Sequence, residues 1–125
     1  MKLLYVFILL LITMLAGCGL ETKTLPEFYD GDLGDVTKIM IVDGSTGHQK
    51  VVDDKGAVAE FLGEIKEIKF IPDKNQEKRV GWRYGVRFYE GDKETFQFSL
   101  NQVDGDYYYT QPDIFPIVDE FYNGY

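Results

Sequence analysis

The sequence predicts an α+β fold in which two helices pack on one face of an antiparallel sheet. Short stretches of alternating apolar and polar residues follow one another closely, as in strands joined by hairpins. Two other stretches repeat apolar residues every three or four positions, which is the spacing of amphipathic helices. Apolar residues make up 45% of the 125 residues, enough for one modest core. Consecutive hairpins favour antiparallel pairing, and the expected order of elements is β-β-α-β-β-β-β-α.

The first two strands are expected over residues 36–42 and 48–52. Alternation in VTKIMIV places Ile39 and Ile41 on one face of the first strand. The DGSTG stretch that follows it is rich in residues that favour turns, so the two strands should form a hairpin. A further short strand, EIKFI, is expected to end at Pro72.

Two segments have the apolar spacing of helices. The first covers about 55–66 and follows Asp53 or Asp54, either of which can cap its amino terminus. The second follows Asp113, and Pro116 is tolerated in its first turn. The two apolar stripes are formed by Val58, Phe61, Leu62 and Ile65 and by Ile114, Ile117, Val118 and Phe121.

The middle of the chain alternates most clearly. In GWRYGVRFYEG, one face of the expected strand is apolar and the other carries Arg83, Arg87 and Tyr89. A second strand, ETFQFSL, has the same alternation. The apolar faces are expected to hold Trp82, Tyr84, Val86 and Phe88 in the first strand and Phe96, Phe98 and Leu100 in the second.

Asp104 and Gly105 predict a tight hairpin, because this dipeptide accepts the positive φ angles of a type I′ turn. If the preceding strand runs unbroken into this turn, Tyr107 and Tyr109 join its apolar face. Tyr108 then projects to the opposite, exposed face.

Residues 1–17 have the composition of an export signal. Lys2 provides a positive charge, and an almost unbroken apolar run extends from Leu3 to Leu15. The run is shorter than the ~20 residues of a permanent membrane-spanning helix. It ends at the chain's only cysteine, Cys18.

The sequence Leu15-Ala16-Gly17-Cys18 resembles the lipobox of bacterial lipoproteins. The resemblance implies that a diacylglyceryl group is joined to the Cys18 thiol and that a dedicated signal peptidase cuts before this residue. It also implies that the new amino group is open to acylation, for example by palmitate, and that the mature protein is held on the extracytoplasmic face of the cell membrane. Two acyl chains anchor stably where one binds only marginally. An ordinary secretory signal or an uncleaved anchor is the alternative.

The expected organisation is a signal peptide over 1–17, a lipidated amino terminus and tether over 18–35, and one globular domain over 36–125. The tether has little apolar periodicity and contains turn-forming glycines and a proline. Its aspartates do not match a calcium-binding EF-hand loop, which needs glycine at its sixth position and glutamate at its twelfth. A solvated linker that can become ordered near the domain is therefore expected.

Charge and composition narrow the functional classes. Beyond residue 17 the chain has 21 acidic and 12 basic side chains, a net charge of −9, which argues against binding to nucleic acid. His48 is the only histidine, so the usual zinc sites lack ligands and no cofactor is expected. Asp43, Ser45 and His48 are the residue types of a hydrolytic triad. They fall in or beside a glycine-rich turn, however, and turns favour Asp and Ser for backbone reasons.

The remaining candidate is a binding face formed by Arg83, Arg87, Tyr89 and Tyr108, since Tyr and Arg are enriched at interface hot spots. The leading hypothesis is a membrane-tethered module that binds a protein or glycan of the cell envelope. The alternatives are a surface-tethered hydrolase, which would need a pocket with convergent polar groups and acids of altered pKa, and a passive structural lipoprotein.

The layout also resembles, more weakly, small uncharacterised lipoproteins of Gram-positive bacteria and their prophages. The shared features are the leader, an early hairpin and helix, the strands RYGVRFYEG, FQFSL and DYYYT, and a terminal helix. This likeness implies no activity and no functional residue other than the lipobox cysteine.

Overall fold

The computed structural model describes residues 2–6, 19–79 and 81–124. Residues 2–6 are helical. The lipobox residues Leu15, Ala16, Gly17 and Cys18 lie outside the described residues.

The predicted α+β class is confirmed, with seven antiparallel strands in one sheet of order β2-β1-β4-β5-β6-β7-β3. The strands are β1 (Lys38–Asp43), β2 (Gln49–Val52), β3 (Lys69–Pro72), β4 (Tyr84–Glu90), β5 (Lys93–Ser99), β6 (Gln102–Val103) and β7 (Asp106–Gln111). The helices beyond residue 19 are α1 (Leu25–Phe28), α2 (Lys55–Ile65) and α3 (Phe115–Gly124), with a 3₁₀ turn at Leu33–Asp35.

Helix α2 forms where the apolar spacing predicts it. The carboxylate of Asp54 caps it by accepting a 2.9 Å hydrogen bond from the backbone N–H of Ala57. Its apolar stripe is buried, and Phe61 stacks on Phe121 of α3 with ring centroids 4.2 Å apart. Tyr84 of β4 contacts the Phe115 ring of α3, so both helices cover the same side of the sheet.

Strand β4 defines the two faces of the sheet. Its buried residues Val86 and Phe88 lie opposite apolar residues of β1 and β5, while buried Tyr84 lies opposite Asp43; this is the inner face, which is covered by the helices. The inner face comprises Ile39, Ile41, Tyr84, Val86, Phe88, Phe96 and Phe98. The alternate positions form the outer face, which comprises Met40, Val42, Gly85, Arg87, Tyr89, Gln97 and Ser99.

The chain reverses once more than expected between β5 and β7. Strand β5 ends at Ser99, which pairs directly with Gln102 of the two-residue strand β6 across a turn at Leu100 and Asn101. The predicted hairpin at 104–105 follows, and both of its residues have positive φ. The predicted pairing of Gln102 with Tyr107 is confirmed.

This extra reversal corrects the faces of the β7 tyrosines. The expected face assignment for Tyr107, Tyr108 and Tyr109 was wrong, because it treated residues 94–103 as one continuous strand. Tyr108 is only 4% exposed and packs edge-on against the Phe28 ring at 5.5 Å, whereas Tyr109 is 54% exposed. A single turn changes which side of the sheet every following residue faces.

The segment expected to be a linker is packed onto the domain from Lys23 onward. Lys23 and Phe70 exchange backbone hydrogen bonds of 3.0 and 2.7 Å, which adds a bridge to the β3 edge. Leu25 is fully buried, and the Tyr29 hydroxyl donates to Glu90 Oε2 at 2.7 Å. The tether therefore shortens to residues 19–22, which are exposed.

Tyr108→Ala should lower the free energy of unfolding by about 3–5 kcal/mol, because it removes a buried aromatic side chain. Tyr109→Ala, its exposed neighbour, should lower it by less than about 1 kcal/mol. Urea denaturation of both variants measures the difference. Equal losses would contradict the reversal at Leu100 and Asn101.

Leu25→Ala should destabilise the domain by about 2–5 kcal/mol, since Leu25 is buried against residues far along the chain. Leu20→Ala is the matched control: Leu20 is 44% exposed, and its truncation should change the unfolding free energy by less than about 0.5 kcal/mol. If Leu25→Ala were as mild as Leu20→Ala in thermal melts, residues 23–29 would not belong to the cooperative unit.

Candidate binding site

The outer face of the sheet has a depression where β4 places a glycine. Gly85 lies opposite Val42 on one side and Ser99 on the other, and its missing side chain leaves room for the Trp82 ring above the backbone. We call this depression the outer-face trough. Its volume is about 340 Å³, within the range of small-ligand sites. The side chains that line it include Trp82, Arg87, Gln97, Ser99, Gln102 and Asp104.

Trp82 forms one wall of the trough because two glycines let it approach the backbone. A side chain at Gly44 would meet the Trp82 ring, whose Cε3 lies 2.7 Å from the Cβ position. The backbone N–H of Gly44 also donates a 2.7 Å hydrogen bond to the carbonyl of Arg83, which holds the two segments together. The indole is 46% exposed and is thereby available to a ligand.

Two of the four residues predicted for the binding face lie on the outer face of β4. Arg87 lines the trough, and its Nε is 3.5 Å from Glu94 Oε1 on β5. Tyr89 lies two residues further along, with the Lys38 ammonium 4.6 Å from its ring centroid. The alternation of β4 thus brings a cation and an aromatic ring together on one surface.

The other two, Arg83 and Tyr108, do not lie there, and their placement on this face was wrong. Tyr108 is buried on the inner side of the sheet, as described above. Arg83 precedes β4 at a bend that follows Gly81, whose φ is +94°, so strand alternation does not extend to it. Its guanidinium lies 5.1 Å from the Tyr84 ring centroid, on the inner side.

Trp82 is the residue that sequence reasoning missed, because alternation assigned it to the core. The same bend that places the half-exposed Arg83 side chain beside Tyr84 turns Trp82 outward over Gly85. The available signal was the pair of glycines in GWRYG. A glycine before the strand permits a bend, and one within it permits close approach of another group.

Asp43, Ser45 and Arg83 form a polar cluster at the end of β1. Asp43 Oδ1 accepts hydrogen bonds from the Ser45 hydroxyl at 2.7 Å and the Ser45 backbone at 2.9 Å. These bonds, with a smaller contribution from the Arg83 cation, hold the pKa of Asp43 below its usual value. The Ser45 hydroxyl also lies 3.3 Å from Arg83 Nη1.

The cluster closes a turn and is not arranged as a hydrolytic triad. The Ser45 hydroxyl donates a hydrogen bond to the Asp43 carboxylate, which also accepts one from the Ser45 backbone N–H. His48 is exposed, and it contributes its backbone: the N–H donates to Thr46 Oγ1 at 3.2 Å and the carbonyl accepts from Asp43 at 2.8 Å. A triad needs the imidazole between the serine and the acid.

A larger groove of about 850 Å³ lies between the 3₁₀ turn and helix α2. Its walls are mainly apolar and include Leu33, Val36, Val58 and Leu62. Among the described residues that line it, none belongs to the polar cluster and none is aromatic. We therefore regard the outer-face trough, which combines an aromatic wall with several hydrogen-bonding groups, as the candidate binding site.

Comparisons with protein-family models, with curated proteins and with solved structures find no match to this chain. Among the described residues, no three His, Cys, Asp or Glu side chains are grouped so that they could hold a metal ion. Across residues 2–6, 19–79 and 81–124, no helix has both the length and the apolar character needed to cross a membrane.

Ser45→Ala should lower the unfolding free energy at pH 7, and the difference from the wild type should shrink as the pH falls below about 4. The sign follows from the lowered pKa of Asp43: the stabilisation is present above the unfolded-state pKa and is lost as the pH falls through the folded-state value. Denaturation curves at several pH values measure it. Ser99→Ala is the control, because the Ser99 hydroxyl donates to an uncharged amide, Asn101 Oδ1. A Ser45→Ala difference that stayed constant with pH would contradict this assignment.

Proposed function

We propose that this chain is a lipid-anchored protein of the extracytoplasmic face of a bacterial cell membrane, and that its α+β domain binds an envelope partner through the outer-face trough. The observation that carries the anchoring is the sequence Leu15-Ala16-Gly17-Cys18 at the end of a single apolar run. The observation that supports binding is the exposed indole of Trp82, which lies on the sheet beside polar side chains of several kinds.

The short distance between Cys18 and the packed domain supports a position close to the lipid surface. Packing begins at Lys23, five residues after Cys18. An extended chain of that length spans at most about 18 Å. The net charge of −9 beyond residue 17 disfavours adsorption to anionic lipid headgroups, so the sheet would remain open to a partner.

Two carboxyl groups have lowered pKa values, so neither of them is suited to be the proton donor of a surface hydrolase. The backbone N–H of Asn75 and the Arg79 side chain hold the pKa of Asp73 below its usual range, and the Ser45 hydrogen bonds do the same for Asp43. Both groups therefore remain ionised and weakly basic. A glycosidase acid needs the opposite, a carboxyl group whose pKa is raised so that it carries a proton.

Cys18→Ser should abolish lipid attachment without unfolding the domain, since packing begins only at Lys23. We expect the variant to be released from membranes or to accumulate with its leader uncleaved. Mass spectrometry of the amino terminus and membrane fractionation measure this, and circular dichroism checks the fold. Gly19→Ala, one residue further along, should leave processing unchanged. A full-length wild-type chain with an unmodified Cys18 would overturn the anchoring proposal.

A further inference from the structure

We propose that the outer-face trough binds a neutral saccharide, with a sugar ring stacked on Trp82. This inference rests on the binding role proposed above for the same trough, and it names the chemical class of the ligand. It does not depend on the lipid anchor.

The geometry of Trp82 is that of a fixed stacking platform. Three atoms of its six-membered ring, Cζ3, Cη2 and Cε3, lie 3.4, 3.7 and 3.9 Å from the Cβ position of Gly85. These similar distances mean that the ring lies across Gly85 and does not point at it edge-on. One side of the indole is therefore supported by the sheet, and nearly half of the side chain stays exposed.

A platform held in this way suits a sugar ring. The C–H groups on one side of a pyranose form an apolar patch of about the size of an aromatic ring, and an indole offers a large flat surface with little side-chain freedom to lose. Because the glycines already fix the ring, binding does not have to order it. Such preorganisation increases affinity by lowering the entropic cost of association.

The polar groups around Trp82 suit hydroxyl groups. Gln97 and Gln102 each present an amide, which both donates and accepts hydrogen bonds, as a sugar hydroxyl does. Within the described part of the chain, neither amide makes a side-chain hydrogen bond. Both can therefore bind a ligand without first breaking an internal bond.

The charges in the trough favour a neutral ligand. Its lining contains one cation, Arg87, and one anion, Asp104, and the guanidinium already lies beside Glu94. A phosphorylated ligand would need several cations converging on it. A trough of about 340 Å³ has the size of a small-ligand site. A hydroxyl-rich neutral molecule fits both the charge and the size.

The chain contains one tryptophan, so its fluorescence, excited at wavelengths where tyrosine does not absorb, reports on the proposed platform alone. The full-length protein in neutral detergent is titrated with tetramers of β-1,4-linked N-acetylglucosamine and of β-1,4-linked glucose. Stacking on Trp82 should shift its emission to shorter wavelength in a saturable manner. Gln102→Ala should weaken the affinity by about tenfold, the effect of losing one hydrogen bond to a ligand.

Gln49→Ala is the matched control, because Gln49 lies opposite Val42 on the outer face of β2 but does not line the trough. It should bind the sugars as tightly as the wild type, and thermal melts confirm that all variants are folded. The inference is overturned if folded wild type shows no emission shift with either sugar at millimolar concentration, or if Gln102→Ala and Gln49→Ala bind equally. Neither result affects the Cys18→Ser measurement, so failure of the saccharide inference and failure of lipid anchoring are distinguished.

Discussion

Burial of the inner side of β4 is the constraint on which the rest of the structure depends. Tyr84, Val86 and Phe88 are almost fully buried between the helices and the neighbouring strands β1 and β5, and each contributes roughly 1.5–3 kcal/mol. Because side chains alternate along a strand, fixing these three inward forces Gly85 and Arg87 outward. The positions of Gly85 and Arg87 in the trough are therefore consequences of core packing.

The amino-terminal segment connects the proposed anchor to this core. Leu25 fills the interior, and Tyr29 packs edge-on against Phe88 at 6.1 Å while its hydroxyl binds Glu90. The packed amino-terminal segment and the outer-face trough therefore both adjoin β4.

Elements that depend on a few neighbouring residues could be predicted from the sequence. The carboxylate of Asp54 and the apolar spacing after it predict helix α2, because a cap and a buried stripe are properties of a few neighbouring residues. The Asp104-Gly105 turn and the Gln102–Tyr107 pairing follow from backbone preferences of two residues. Two of the four residues predicted for the binding face, Arg87 and Tyr89, do lie on the outer face, because side chains alternate between the two faces along β4.

The sequence by itself determined the α+β class, the periodic strands and helices, and the acidic composition, all of which depend on residue types and short-range spacing. Only the tertiary structure decided the turn at Leu100 and Asn101, which carries no glycine or proline signal yet moves Tyr108 into the core. It also decided that Leu25 is buried and that Trp82 crosses over Gly85. Each of these outcomes depends on partners far away along the chain, whose contact free energy outweighs local preference.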